Sequence, residues 1–583
     1  MDKNTALAEK FGNVEMFKTC EQCGLCSSAC PITGVKNFNI RRILRYVELD
    51  LIEEISDSPL PWSCTTCGRC EGVCPNGIAI LDIVRPLRSI SPEKFFPEGP
   101  PCVHACPAGI DVPGYLRFIV QGKTEEAYKL ILEKVPFPGI LGRVCTHPCE
   151  DNCRRKEVNE PISICALKRF AADKACASPE ESFKVEKETG HKVAVIGAGP
   201  AGLTAAFYLR KKGHHMTIFE ARSKPGGMMR YGIPDYRLPE KVLEKEINQV
   251  LNLGIELKTD KRWGKDFNLN QLKKDGFEAI FIAVGLQLSR KIEMEGSESK
   301  DVFWGVDFLM DVNQRKEFSL KEKVLVVGGG NVAVDAARVA KRLGAKEVSL
   351  LYRRSRLEMP AIKSEVDEAE REGIKFHFLI APIKVITNNG RLTRLQCIRM
   401  ELTEPDESGR RSPIPVKGSD FEIEANQIIM AIGQSMDKKE ILEELEYSSQ
   451  ETISVDPVTL KTNLDGVFAG GDVAKGPTSV IEAIEAGRRA ASSIDQFLGG
   501  DGRIEEILAE RSNSQPYSGK RKEGFADLKR VETPFLPVSE RYKGFIEVEN
   551  CFEEDQAIQE ANRCLHCDLE IRLAKAILPQ KDK

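Results

Sequence analysis

Two cysteine runs constrain this chain more than any other feature. "CEQCGLCSSACP" sets Cys20, Cys23, Cys26 and Cys30 before Pro31, and "CTTCGRCEGVCP" sets Cys64, Cys67, Cys70 and Cys74 before Pro75. Three thiols at steps of three, closed by Cys-Pro, form the bacterial cluster-binding run, in which three thiolates hold one 4Fe-4S cubane and the fourth crosses to the other. The pattern therefore gives one cluster to Cys20, Cys23, Cys26 and Cys74, and a second to Cys64, Cys67, Cys70 and Cys30. Zinc ribbons use two CxxC pairs instead and fit the spacing poorly. Between the runs, "NFNIRRILRYVELDLIEEI" repeats Ile40, Ile43, Leu44, Val47 and Leu51 at helical spacing, which predicts one amphipathic helix.

The other cysteines extend the same chemistry. Of 19 in the chain, only Cys176, Cys397 and Cys551 stand apart from tight groups. The first residues, "MDKNTALAEKFGNVEMF", lack the apolar stretch of a leader, and no run of eighteen apolar residues occurs, so a cytoplasmic chain without membrane insertion is expected. In that reducing compartment grouped thiols point to clusters rather than disulfides. A net charge of -4 with mixed signs leaves no footprint for nucleic acid. At 583 residues, 41% of them hydrophobic, the chain can bury several cores.

A second group holds Cys102 and Cys106 in "CVHACP", Cys145, Cys149 and Cys153 in "GRVCTHPCEDNC", and Cys165 in "PISICALKRF". Six thiols are too many for one cluster and two short of a pair. Near the C-terminus "ANRCLHCDLE" offers Cys564 and Cys567, which make up the deficit.

From His191 onward, short β-branched strands alternate with glycine turns and helices, as in a doubly wound α/β fold. "VAVIGAGPAGLTAAFYLRKKGHHMTIFEA" carries Gly197, Gly199 and Gly202 after a strand, with Glu220 ending the next strand. Glycines let the backbone approach a pyrophosphate at the helix N-terminus, and the acid can bind ribose hydroxyls, so FAD is the favoured ligand. "VLVVGGGNVAVDAARVA" repeats the device with Gly328, Gly330, Asn331 and Ala333. Its next strand ends in Arg353 and Arg354 where an NAD site usually places an acid, which favours NADP(H) over NAD(H) because guanidinium groups pair with a 2'-phosphate.

These motifs together resemble the small subunit of glutamate synthase and its relatives over residues 95–500, while residues 15–90 resemble the helical dicluster domain of the heterodisulfide reductase C type. The resemblance adds Gly227 in "KPGGMMRYGIPDYRLP", and Gly470, Gly471 and Asp472 in "VFAGGDVAKGP", to the flavin site. In that family a segment like "EANRCLHC" normally precedes the "CxxxCP" stretch, and here it stands at the far end of the sequence. Carried over position by position, the family pattern groups Cys564, Cys567, Cys102 and Cys153 around one cluster and leaves Cys106, Cys145 and Cys149 for another. The fourth ligand there falls at Lys168 in the family pattern, and Cys165, one helical turn earlier, can replace it.

The resulting expectation is a multidomain chain. An α-helical ferredoxin-like dicluster domain spans 1–95 and a helical Fe-S domain 96–185. Rossmann-like α/β units follow, with FAD at 186–318 and 435–500 and NAD(P)H at 319–434, before a tail at 501–583. No side chain is required as a catalytic acid or base, because hydride and electron transfer need positioning and tuned potentials. "GGMMRYG" holds no CxxC, which argues against thiol–disulfide chemistry. The expected function is an NAD(P)H-linked oxidoreductase subunit of a hetero-oligomeric complex, exchanging electrons with other oxidoreductase subunits or ferredoxin. A non-catalytic electron-transfer scaffold and an electron-bifurcating subunit are the rival readings.

Overall fold

The computed structural model describes residues 18–175, 183–407, 409, 411–438, 444–510 and 517–576. Residues 1–17, on which the expectation of no leader rests, and Cys176 lie outside them. No helix among the described residues is long and apolar enough to cross a membrane.

Two parallel sheets form the centre. The first has β1 (Lys192–Ile196), β2 (His215–Phe219), β3 (Glu256–Lys258) and β4 (Ala279–Ile282), with a late strand added beyond β4. The second is built from β5 (Val302–Trp304), β6 (Lys323–Val327), β7 (Glu347–Tyr352), β8 (Lys375–Phe378) and β9 (Gln427–Met430), in the order β5-β9-β6-β7-β8. The late strand of the first sheet is β10 (Val467–Ala469), giving the order β10-β4-β1-β2-β3. All pairings within both sheets are parallel. In each sheet the chain reverses its strand order beside the first glycine-loop strand, β1 or β6, which is where open α/β sheets take their ligands. An antiparallel sheet of Ile380–Asn388, Arg391–Leu402 and two shorter strands flanks the second unit.

One sequence boundary moves. Val302–Trp304 falls within the segment expected to end the first flavin piece at 318, but it pairs with β9 in the second sheet. A three-residue strand has too little pattern to declare its partner, and register is set by the neighbours it meets.

Ahead of the sheets, helices Val112–Val120, Thr124–Leu132, Pro138–Val144 and Ile164–Lys174 pack into the same core as the first sheet. Asp111 caps the first of these, accepting from Gly114 N at 3.0 Å. The N-terminal unit keeps its own small core of Ile40, Ile43, Leu44, Val47, Ile83 and Leu87. Its predicted single helix is broken in two. Ile40–Glu48 ends before Asp50, whose φ of 60° stops the spiral, and Leu51 is 37% exposed rather than buried.

The tail wraps the molecule as an extended strap. Leu508 N and Ala509 N both donate to Glu133 Oε1 at 3.0 Å, Tyr542 Oη donates to Glu372 O, and helix Cys567–Ala576 returns to lie against helix Leu81–Ile90. Sulfurs more than 400 residues apart are thereby brought together.

Candidate functional site: four sulfur groups and two glycine loops

The thiols fall into four groups, two of which line cavities. Cys20, Cys23, Cys26 and Cys74 line one small cavity, and Cys30, Cys64, Cys67 and Cys70 line another. The charges bearing on the Cys102 thiol come from Cys564, Cys567, Cys153 and Cys149. Those bearing on buried Lys168 come from Cys145, Cys165, Cys149 and Cys106. The tail pair therefore meets Cys102 and Cys153, and both candidates for the last ligand position, Cys165 and Lys168, reach the same group. Among the described residues no three His, Cys or carboxylate groups converge on a single metal position.

A local device recurs once in every group, and spacing alone did not reveal it. Gln22, Thr66, His147 and His566, each two residues after a cysteine, take left-handed φ values of 55°, 53°, 43° and 50°. This conformation costs a non-glycine residue about 1–2 kcal/mol and is uncommon for a β-branched threonine. It turns the backbone amides of Thr66, His147 and His566 onto the sulfurs of Cys64, Cys145 and Cys564 at 3.3–3.4 Å. The Gln22 amide bears on Cys20 in the same way. An N–H aimed at sulfur favours the thiolate over the thiol, so the strain prepares four ligand loops. The residues present thus fit four clusters.

Burial acts against the free thiolates. It pushes Cys64 and Cys567 up to about 11, with Arg88 pulling down on the first and Arg154 on the second. Burial also raises Cys70, Cys102, Cys149, Cys165 and Cys564. At Lys168, only 4% exposed, burial would discharge the ammonium, but the four thiols around it outweigh that and raise its pKa.

Where the N-terminal unit meets the tail, arginines gather that the sequence did not advertise. Arg521 donates from Nε to Thr66 O at 3.0 Å and from Nη2 to Leu565 O at 2.7 Å. Arg88 Nη2 donates to Cys64 O at 2.6 Å, and Arg154 Nη2 to Ser63 O at 2.7 Å. Glu570 accepts from Arg85 Nη2 at 3.0 Å and from Tyr517 Oη at 2.9 Å. No motif marks these residues, since each partner lies in another segment.

The first glycine loop opens into a large cavity. Gly197, Gly199, Glu220, Gly227, Gly470, Gly471 and Asp472 line it, as the sequence reading placed them, together with Trp263 and Met436, which no motif signalled; none of its lining residues is a cysteine. Gly202 serves packing: a Cβ there would lie 2.0 Å from Gly197 O. At Gly227, φ 51°, a Cβ would sit 2.7 Å from Gly199 Cα, so the two loops touch backbone to backbone. Glu220 accepts from Ala198 N at 2.8 Å and Arg222 N at 2.9 Å, and burial raises its pKa despite them. Burial likewise lifts Asp472 to about 6 against two hydrogen bonds from Thr478. Ser479 caps helix Val480–Phe497 at the cavity wall, leaving the positive helix end toward a ligand. A cradle of bare glycine backbone, a carboxylate and a helix N-terminus fits FAD.

The second loop is tighter. A Cβ on Gly328 would meet Ala431 O at 2.2 Å and one on Gly329 the Tyr352 ring at 2.3 Å, whereas Gly330 faces open space. Ala333 is fully buried behind them, and Asn331 Oδ1 accepts from Ile362 N at 2.9 Å. The predicted arginine pair separates. Arg353 is exposed, but Arg354 is 7% exposed and turned inward, donating from Nε to Arg411 O at 3.0 Å. Both arginines lie in a bend just past the end of β7, and Arg354 is taken up by its backbone partner instead of standing beside Arg353.

Residues 191–487 match the family described as pyridine nucleotide-disulphide oxidoreductase. Residues 97–179 match the dihydropyrimidine dehydrogenase domain II, 4Fe-4S cluster family, and residues 16–78 match the 4Fe-4S dicluster domain family. Among curated proteins, the chain is 43% identical over 499 residues to the NADP(+)-dependent formate dehydrogenase subunit beta of Moorella thermoacetica, spanning 80% of this chain and 70% of that one. It is 37% identical over 603 aligned residues to the NADPH-Fe(3+) oxidoreductase subunit beta of Geobacter sulfurreducens, 94% and 88% respectively. With the glutamate synthase [NADPH] small chain of Azospirillum brasilense it shares 33% identity over 420 residues, 68% and 86%.

Proposed function

Because the chain belongs to the pyridine nucleotide-disulphide oxidoreductase family and carries 4Fe-4S segments ahead of that fold, we propose that it moves electrons between NADP(H), FAD and four 4Fe-4S clusters, to or from a partner subunit. It is an NAD(P)H-dependent FAD and iron–sulfur oxidoreductase. The relatives named as beta subunits support its assignment to a complex. The partner is another redox protein, a ferredoxin or a second oxidoreductase subunit, docking on the N-terminal unit, where the exposed Cys23 marks the group nearest solvent.

One observation carries the reading: Cys564 is buried in the core against which Cys102 and Cys153 pack, and the tail thiols lie within electrostatic reach of theirs. When bound, FAD accepts a hydride and releases its electrons singly, which is what couples a nicotinamide to one-electron clusters. The protein's own groups hold and tune. Glu220 and the Asp472 carboxylate face the FAD cavity, and the bare backbone of Gly199, Gly227 and Gly471 admits a pyrophosphate. Gly330 leaves room at the second loop, where exposed Arg353 selects a 2'-phosphate. Cys165, one helical turn from Lys168, completes the ligand set of Cys106, Cys145 and Cys149.

Anaerobic preparations are expected to hold about sixteen irons per chain, four for each of four clusters, and to lose about a quarter of them when Cys564 and Cys567 become serine. NADPH should bleach the flavin absorbance, and Arg353→Glu should cost NADPH preference over NADH at least tenfold. Iron that stays at the wild-type level in the double serine variant overturns the convergence on which the reading stands.

A further inference from the structure

The most deeply buried arginines among the described residues are Arg88, Arg155, Arg338 and Arg563. Three of them have a carboxylate at ion-pair distance: Arg88 with Glu570 at 3.5 Å, Arg338 with Glu372 at 2.8 Å, and Arg563 with Glu560 at 2.6 Å. Arg155, 0% exposed, donates only to neutral acceptors. These are Asn159 Oδ1 at 3.0 Å, Arg563 O at 3.2 Å, and the carbonyls of Phe525, Ala526 and Leu528 at 2.9, 3.3 and 3.2 Å. The guanidinium lies over the Phe525 ring, 4.8 Å from its centre.

Its hydrogen bonds are therefore satisfied while its charge is not. A buried ion without a counter-charge is strongly unfavourable, and arginine does not escape by losing its proton. The thiols of Cys67 and Cys153 bear on this charge, against the like charges of Arg563 and Arg521. They belong to different groups, one to the set lining the Cys30–Cys70 cavity and the other to the set completed by the tail. Phe525 packs with Cys67 and Leu565 in one apolar cluster, so the arginine stands in the seam between the two groups.

We infer that Arg155 is a charge-tuning residue whose missing counter-ion is the pair of iron–sulfur clusters on either side of it, and that it favours the reduced form of both. This rests on the four-cluster reading above. A cubane held by four thiolates is a net anion and gains a further negative charge when it takes up one electron, so a fixed cation between two of them stabilises each reduced state more than each oxidised one. These two clusters then sit at higher potential than they would beside a neutral side chain.

The test is an anaerobic potentiometric titration of the full-length, iron-loaded chain, followed by the cluster signals in electron paramagnetic resonance. Arg155→Gln is expected to lower the potentials of two clusters, by at least tenfold in the reduction equilibrium, about 59 mV for one electron, and to leave the other two in place. Arg155→Lys, which keeps the charge and loses the shape, should stay near wild type. Asn159→Asp is the second route, because it sets a carboxylate against Arg155 Nε at an exposed position and should depress the same two potentials even where Arg155→Gln cannot retain iron. Four unmoved potentials in an iron-complete Arg155→Gln or Asn159→Asp chain overturn the inference, and so does an Arg155→Lys that falls as far as Arg155→Gln. A wild-type chain short of about sixteen irons sinks the proposed function instead.

Discussion

Two buried arginine networks hold distant segments of this chain together, and their charges are settled differently. Beside the second sheet, Arg237, Arg338, Arg342 and Arg541 meet Asp335, Glu365, Glu368 and Glu372, four cations against four carboxylates. At the junction of the N-terminal unit and the tail, Arg85, Arg88 and Arg521 share one buried carboxylate, Glu570, and Arg155 beside them has none at ion-pair distance. The buried charges of the first network balance, with only the exposed Arg371 added at Glu368, and the network fastens the tail at Arg541 to the helix after β7. The second is left cationic beside sulfurs, and a buried imbalance of that kind needs something else to neutralise it. The contrast separates a structural clasp from a seam that is complete only when its anions are loaded.

Removal of iron should break the comparison most visibly. Burial holds Cys64 and Cys567 at about 11, so at neutral pH the emptied sites carry neutral thiols and give the junction arginines no counter-charge. Metal binding is then part of the folding free energy, on the order of 10 kcal/mol for structural metal sites. Hydrogen exchange after anaerobic chelation is expected to rise across 517–531 and 564–570 and to stay low across 335–372. Equal protection in both stretches would show that the junction closes without clusters.

Next in size is the loss of a carboxylate from the neutral network. Glu372 accepts from Arg342 Nη1 at 2.7 Å, Arg342 Nη2 at 3.0 Å and Arg338 Nη2 at 2.8 Å. Glu372→Gln strips a charge from a fully buried set and should cost about 3–5 kcal/mol, read as a lower denaturant midpoint with iron content unchanged. The same group predicts an acid transition. Burial would raise the Glu372 carboxyl, but hydrogen bonds and charge from Arg342 and Arg338 outweigh it and hold it at about 2. A depressed carboxylate contributes stability above its ordinary pKa and loses it as pH falls, so this network should weaken between about pH 4.5 and pH 2. Tail release in that window, followed by exchange at 535–549, checks the sign.

How much of this was legible depends on the range over which the physics acts. Cysteine spacing is a local rule, so the ligand groups at Cys20–Cys74 could be paired from sequence, and the arithmetic of missing thiols pointed to Cys564 and Cys567. Glycine loops are equally local, and Gly197, Gly199 and Gly227 line the cavity expected of them. Arg155 was not legible, because its acceptors Phe525 and Leu528 lie about 370 residues away and carbonyl oxygens have no sequence signature. The inward turn of Arg354 was not legible, because the carbonyl that takes it up, Arg411 O, lies 57 residues away. Leu51 fitted the helical period, yet Asp50 ended the spiral one residue earlier.

The smallest effect sharpens the contrast through backbone rather than charge. The junction stores strain as well as charge, at Thr66 and His566, while the stretch 331–372 holds no non-glycine residue at positive φ. Thr66 is β-branched, and its left-handed turn exists to point an amide at Cys64. Glycine adopts that conformation freely, so Thr66→Gly keeps the N–H···S geometry and relieves roughly 1 kcal/mol, less the entropy glycine adds to the unfolded chain, about 0.5–1 kcal/mol. The two nearly cancel. The expected outcome is full iron content and a denaturant midpoint within about 1 kcal/mol of wild type, whereas Thr66→Pro, fixed at negative φ and lacking the donor, should lose the cluster bound through Cys64. If proline were tolerated there with iron intact, the strained loop would be an accident of packing and not a preparation for the ligand.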